Sequence, residues 1–223
     1  QEFFEGNREW LLPYAAFCVL RDKYDTADFS QWGKYSIYDR KKVDTLWKNV
    51  RSGKKMRYYV YLQYHLHLQM LDARDYAHSR GIAIKGDIPI GITPQSVEAW
   101  SEPHYFNMDA QAGAPPDDFS VKGQNWGFPT YNWARMAEDG YSWWKKRFTK
   151  MAEYFDAYRI DHVLGFFRIW QVPSDQVLGL MGHFNPAMPY SYEDMLSRGF
   201  DFKHDRHATP FIRYYMLREM FGD

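Results

Sequence analysis

The fold of this chain is decided by the stretch FDAYRIDH at residues 155–162, where a helical pattern passes directly into a short strand. Aromatic and apolar residues over 144–155 recur at helical spacing, and the strand predicted over Ala157–Val163 then follows. Successive side chains of a strand point to opposite faces, so we expect Arg159 and Asp161 to lie on the same side.

The pair formed by Arg159 and Asp161 permits two interpretations. A guanidinium beside a carboxylate favours its ionised form. An ionised carboxylate at the end of a barrel strand is suited to be the nucleophile of an enzyme that cleaves sugars. The same pattern also fits an Arg–Asp pair that only stabilises the fold, and these two residues alone do not separate the alternatives.

A second helix–strand unit precedes the first along the chain. Apolar residues at helical spacing over 62–77 predict a helix that ends at Gly81. The run Ile82–Ile90 follows as a buried strand that carries Asp87. Alternation of helices and strands indicates an α/β fold with a parallel sheet, either open or closed into a barrel.

The segment 91–140 is an insertion between the two units and is a candidate binding loop. It contains GAPPDDFS at 113–120 and GQNWGFP at 123–129. Adjacent prolines order a loop, and the acids, the amide and Trp126 offer hydrogen bonds and a stacking face for a neutral, hydroxyl-rich ligand. A proline-stiffened surface loop with Trp126 in the core is the alternative.

Composition narrows the possible partners and locations. The 28 basic and 28 acidic residues balance, which gives no electrostatic support for nucleic acid or an anionic membrane. The apolar run at 10–20 is too short for a membrane span. The single Cys18 favours a cytoplasmic protein without disulfides. A start at Gln1, within a structured pattern, suggests a piece of a longer protein, and the oligomeric state stays open.

Three motifs in order resemble the 4-α-glucanotransferases, the amylomaltases or disproportionating enzymes of glycoside hydrolase family 77. They are GDIPI at 86–90, APPD at 114–117 with GQNWG at 123–127, and RIDH at 159–162. The continuation LGFFRIW at 164–170 is similar to the large subtype of plant cytosol and some bacteria. The resemblance implies a (β/α)8 TIM barrel, of which this chain would be an incomplete segment with helical and loop insertions.

The resemblance also implies an activity and a set of site residues. Members transfer α-1,4-glucan segments between glucans such as maltose, maltodextrin or glycogen with retention at the anomeric carbon, and they need no metal or cofactor. The matching positions are Asp161 as nucleophile, Arg159 as the arginine that holds it, His162 as a sugar-hydroxyl contact, Asp87 as the acid of the preceding strand, and Asp117, Gln124 and Trp126 as glucan contacts.

A retaining mechanism requires a second carboxyl group about 5 Å from the nucleophile. No acid after Asp161 sits in a buried strand pattern, so the acid/base Glu is expected beyond Asp223 and the chain alone is expected to be inactive. The expected division is a mainly helical region at 1–60, a barrel segment with the binding loop at 61–172, and an insertion at 173–223. A non-catalytic glucan-binding fragment and an amylase-clan hydrolase stay open as alternatives.

Overall fold

Helices form most of the first third of the chain and recur among the later strands. The computed structural model describes residues 1–187, 190–207 and 213–222. The helices are α1 (Glu2–Tyr24), α2 (Arg40–Lys48), α3 (Val50–Ser79), α4 (Val97–Ser101), α5 (Trp133–Glu138), α6 (Ser142–Met151), α7 (Tyr192–Ser197), α8 (His204–His207) and α9 (Tyr214–Phe221).

Strands occupy the middle of the chain and make two separate sheets. The strands are β1 (Lys85–Ile88), β2 (Phe106–Ala114), β3 (Gln124–Tyr131), β4 (Ala157–Ile160), β5 (Ile169–Pro173) and β6 (His183–Asn185). β1 and β4 form a parallel pair, and the other four strands form an antiparallel sheet in the order β3-β2-β5-β6.

The N-terminal helices pack around an aromatic core. Asp39 caps α2 and Asn49 caps α3, because each side chain accepts hydrogen bonds from backbone N–H groups of the first turn. Trp32 is fully buried between the helices and contacts Phe17 and Trp100 edge to face. This region supports the sheet elements but contributes none of the predicted site residues.

The two predicted helix–strand units are both present. α3 leads into β1 past Gly81, whose φ of +68° gives the left-handed stop that the sequence predicts. α6 leads into β4 in the same way, and the two strands are parallel. β1 is shorter than the predicted strand Ile82–Ile90, because hydrogen bonding to β4 begins only at Lys85.

The insertion folds as a β-hairpin flanked by the short helices α4 and α5 rather than as the predicted loop. β2 and β3 pair as a hairpin, and residues 115–123 form the connection between them. Gln124 and Trp126 therefore lie on a strand, and Asp117 lies in the connection. The strand signal was obscured because Gly113, Gly127 and Pro129 interrupt the usual alternation of side chains, and the pairing is irregular with register shifts.

A second apolar cluster lies beneath the ends of the parallel strands. Ile88 of β1 is 1% exposed and packs with aromatic residues of β2, β3 and α6. The main members of this cluster are Tyr105, Phe106, Tyr131, Met136, Trp143 and Trp144. The cluster joins the parallel pair to the antiparallel sheet, which fixes both at the candidate site.

The chain divides into two compact units at Pro186, which differs from the predicted limits at 60 and 172. Residue 60 lies inside α3, and the limit at 172 falls inside β5. The second unit contains α7, α8 and α9, and none of its described residues is buried.

No helix in the described ranges combines the length and apolar character that crossing a bilayer requires.

Candidate functional site at the ends of the parallel strands

The centre of the site is formed by three charged side chains at the carboxyl ends of β1 and β4. The strand register places Asp87 opposite Arg159. The Arg159 guanidinium donates from Nε to Asp87 Oδ1 at 3.0 Å and from Nη2 to Asp87 Oδ2 at 2.6 Å. Asp161 Oδ1 lies 3.5 Å from the same Nη2. Arg159 and Asp161 therefore share a face as predicted, but the closer partner of the guanidinium is Asp87.

The charge state of Asp87 follows from this geometry. Hydrogen bonding from Arg159 lowers the pKa of Asp87, and the same bond raises the pKa of Arg159. Both side chains are more than half exposed, at 55% and 58%. The pair is therefore fully charged at neutral pH and leaves Asp87 poorly suited to donate a proton.

Asp161 is held by its backbone rather than by a closed side-chain pair. Its N–H donates to the carbonyl of Ile88 at 3.0 Å, which extends the β1–β4 ladder by one step. Its side chain is 46% exposed. The carboxylate is thus fixed at its base, near one cation, and open to a ligand.

The contact between His162 and Trp126 places the antiparallel sheet beside the charged side chains of Asp87, Arg159 and Asp161. His162 has φ +47° and starts the turn after β4. The Trp126 ring stands edge-on to the His162 ring, with centroids 5.0 Å apart and planes at 85°. A flat indole beside two charged strand ends can bind the apolar face of a sugar ring while the polar groups bind its hydroxyls.

The remaining two predicted binding residues are engaged locally. Asp117 Oδ1 accepts from the N–H groups of Phe119 at 3.0 Å and Ser120 at 2.7 Å, which closes a turn within the β2–β3 connection. Gln124 Oε1 accepts from Trp126 Nε1 at 2.9 Å. A glucan-binding role for Asp117 and Gln124 stays a prediction, and Gln124 is the one in direct contact with another site residue.

Two residues that the sequence did not single out help to build the site. The Tyr131 hydroxyl accepts from the N–H of Gly91 at 2.8 Å, which ties the segment after β1 to β3. Asn125, between Gln124 and Trp126, hydrogen-bonds across the sheet to Gln111 at 2.6 Å. Asn125 could have been found from the sequence, because it lies inside the motif GQNWG. Tyr131 could not, because its partner Gly91 is 40 residues away and no sequence pattern links the two.

Among the described residues of the first unit, Asp87 is the acid that shares a partner with Asp161, since both approach Arg159 Nη2. Asp175 follows β5 in a turn. In the second unit, Glu193 and Asp194 occupy the first turn of α7, where Ser191 and Asp194 form a capping box. Across the described ranges, no group of three or more His, Cys, Asp or Glu residues is placed to hold a metal ion.

Comparison with known proteins identifies the relatives of this chain. The family model described as 4-alpha-glucanotransferase matches residues 1–213. The 4-alpha-glucanotransferase DPE2 of Oryza sativa subsp. japonica is 48% identical over 227 residues, which cover 100% of this chain and 24% of the rice protein. The 4-alpha-glucanotransferase of Chlamydia pneumoniae is 34% identical over 86% of this chain and 35% of its own length.

Solved structures of amylomaltases also resemble this chain. The amylomaltase from Streptococcus agalactiae in complex with acarbose superposes with a TM-score of 0.74 and 26% identity, covering 100% of this chain and 42% of that one. The amylomaltase from Corynebacterium glutamicum, at 24% identity and a TM-score of 0.67 over 87% of this chain, shares the fold. This chain is an incomplete α/β segment of a TIM barrel and spans about a quarter to two fifths of the length of these relatives. It belongs to the 4-alpha-glucanotransferase family, glycoside hydrolase family 77.

Proposed function

We propose that this chain supplies the nucleophile half of the active site of a longer, retaining 4-α-glucanotransferase. The observation that carries the proposal is the position of Asp161, which follows β4 directly and lies 3.5 Å from a guanidinium already paired with Asp87. A carboxylate in this setting is accessible, as covalent glycosyl transfer requires.

The chemistry proceeds in two steps. A carboxylate oxygen of Asp161 attacks the anomeric carbon of the donor glucan and forms a glucosyl ester, while the glycosidic bond to the leaving sugar breaks. The leaving oxygen receives a proton from a carboxylic acid in the remainder of the protein. An acceptor hydroxyl then attacks the same anomeric carbon, breaks its bond to Asp161 and gives its proton to the acid/base group. Two inversions at this carbon restore the α configuration.

Arg159 and Asp87 maintain the nucleophile during these steps. The Arg159 guanidinium lies 3.5 Å from Asp161 Oδ1 and attracts this carboxylate. The bidentate hydrogen bonds to Asp87 hold the guanidinium in one orientation, so that it does not collapse onto Asp161 and quench its nucleophilicity. Asp87 is in this view a positioning residue, although the family match also allows it to contact sugar.

The substrates follow from the neutral, aromatic part of the site. Trp126 and His162 offer a ring edge, a ring face and nitrogen atoms close to Asp161, which suits a glucose unit of maltose, maltodextrin or glycogen. These donors and acceptors are proposals for the longer protein. A cytoplasmic location, based on the single Cys18, is likewise a proposal.

The test compares this chain with a version extended to the length of its relatives. Both are incubated with maltotriose, and the oligosaccharides are separated by chromatography while reducing ends are counted. We expect the extended protein to form a ladder of products at constant total reducing ends, and this chain alone to form none. Asp161→Asn in the extended protein should reduce transfer by about 10⁴-fold or more while glucan binding persists.

Asp72→Asn, an exposed acid on α3, is the matched control and should leave the ladder unchanged. A rise in reducing ends would indicate a hydrolase instead. Glucan binding with no ladder from the extended protein would indicate a binding module. A ladder from this chain alone would show that the acid/base group lies within its 223 residues.

A further inference from the structure

Asn125 is the most highly connected amide next to the candidate site. Its Oδ1 accepts from the N–H of Gly127 at 2.9 Å. Its Nδ2 donates to Gln111 Oε1 at 2.6 Å and to the carbonyl of Gln176 at 3.1 Å. This one half-buried side chain therefore links β2, β3 and the segment after β5.

Hydrogen bonds on either side of Trp126 restrain this residue. The contact from Asn125 Oδ1 to Gly127 N closes a turn around the backbone of Trp126, and Gly127 adopts φ +74°, which glycine accommodates without a steric cost. The ring of Trp126 is fixed separately, by donation from its Nε1 to Gln124. Trp126 is thus restrained at both its backbone and its ring.

His162 links the restrained Trp126 to Asp161. The Trp126 ring meets the His162 ring edge to face at 5.0 Å, and His162 directly follows Asp161. A change in the turn around Trp126 therefore shifts the aromatic surface relative to the reacting carboxylate. Misplacement of a substrate by about 1 Å can cost on the order of 10²-fold in rate.

We propose that Asn125 is a positioning residue for glucan transfer, which acts through Trp126 by fixing the indole beside His162 and Asp161. The proposal rests on the proposed function and adds a residue that contacts neither the sugar nor the nucleophile. Asn125→Ala removes the acceptor for Gly127 and both cross-strand donations. Asn125→Ser leaves a hydroxyl that can accept from Gly127 and so restores the turn alone.

A double-mutant cycle in the extended protein tests this inference. The variants are Asn125→Ala, Trp126→Ala and their combination, with kcat/KM for maltotriose disproportionation as the readout. We expect each single variant to lose about 10- to 100-fold, and the combination to be no worse than Trp126→Ala alone, because coupled residues are not additive. Asn125→Ser should recover part of the loss in an otherwise unchanged protein.

Asn107→Ala is the matched control. Asn107 lies on β2 of the same sheet and donates to Thr130 Oγ1 at 3.0 Å and to the carbonyl of Tyr131 at 3.2 Å. Its effect should be additive with that of Trp126→Ala. Unfolding midpoints of all variants are measured alongside, so that loss of sheet stability is separated from loss of transfer.

Two results would overturn the assignment while leaving the proposed function intact. One is additivity between Asn125→Ala and Trp126→Ala, and the other is unchanged kcat/KM in Asn125→Ala. If the extended protein shows no Asp161-dependent transfer at all, the proposed function fails and the role of Asn125 fails with it.

Discussion

Asp87 and Arg159 lie opposite each other across the two parallel strands and are joined by two hydrogen bonds of 3.0 and 2.6 Å. They are 72 residues apart in the chain. The bidentate contact joins the ends of the two helix–strand units and sets the orientation of the guanidinium that also approaches Asp161. The surroundings of Asp161 therefore depend on Asp87, an acid on the other parallel strand.

Replacement of Asp87 tests this dependence. Asp87→Asn removes one charged partner, so Arg159 should move towards Asp161 and make it a weaker nucleophile. We expect kcat for maltotriose transfer by the extended protein to fall about 10- to 100-fold, the effect of one charge-assisted hydrogen bond. Asp75→Asn, which breaks the comparable surface pair with Arg74 at 2.7 Å, is the control. Equal activity of the two variants would refute the positioning role.

His162 gives a second prediction, on binding. His162→Ala removes the ring against which Trp126 stands and one predicted contact with a sugar hydroxyl. The loss of about one hydrogen bond should lower kcat/KM roughly 5- to 10-fold, mainly through a higher KM. His65→Ala, whose ring contacts Tyr61 on α3, is the control and should behave as the unsubstituted protein. An effect on kcat alone would contradict a binding role.

The hydrogen bonds of Asp139 predict that the stability of the folded protein depends on pH. Hydrogen bonds from the Tyr105 hydroxyl and from Ser142 lower the pKa of Asp139 from 3.8 to about 2. Because the folded-state pKa is depressed, the stabilisation is complete above pH 3.8 and is lost as the pH falls towards 2. We expect the unfolding midpoint of Asp139→Asn to lie below that of the unsubstituted protein at pH 6. The gap between the two midpoints should shrink near pH 2.

The neighbouring Glu138→Gln is the control for Asp139, because Glu138 pairs with Arg135 on the exposed surface of α5. Its midpoint difference should be small at both pH values. A constant gap between Asp139→Asn and the unsubstituted protein from pH 6 to pH 2 would show that the hydrogen bonds to this carboxylate do not favour its ionised form.

The burial of Ile88 predicts that the stability of the parallel strand pair depends on the apolar cluster beneath it. Its side chain is 1% exposed within the aromatic cluster. Ile88→Ala should lower the free energy of unfolding by about 2–5 kcal/mol, through lost apolar burial and the cavity that remains. Ile37→Ala, at a side chain that is 78% exposed, should change it by less than about 0.5 kcal/mol. Urea denaturation measures both, and similar values would show that β1 is not anchored by Ile88.

The sequence by itself determined the helix–strand alternation and the family. Apolar spacing over 62–77 and 144–155 is a local property of the chain, and each helix is followed by its strand as predicted. The motif RIDH at 159–162 is likewise contiguous, so Arg159 and Asp161 could be placed on one face from alternation alone.

The tertiary structure decided which of these residues act on one another. The pairing of Asp87 with Arg159 depends on strand register, and the contact between Trp126 and His162 depends on a sheet whose strands β2 and β5 are distant in sequence. Local propensity could not reveal that sheet, because glycines, a proline and register shifts interrupt its alternation. Hydrogen bonds between distant segments form only when the backbone is folded, so packing settled the partner of Asp87, whereas Asp117 and Gln124 bond to their neighbours in the chain.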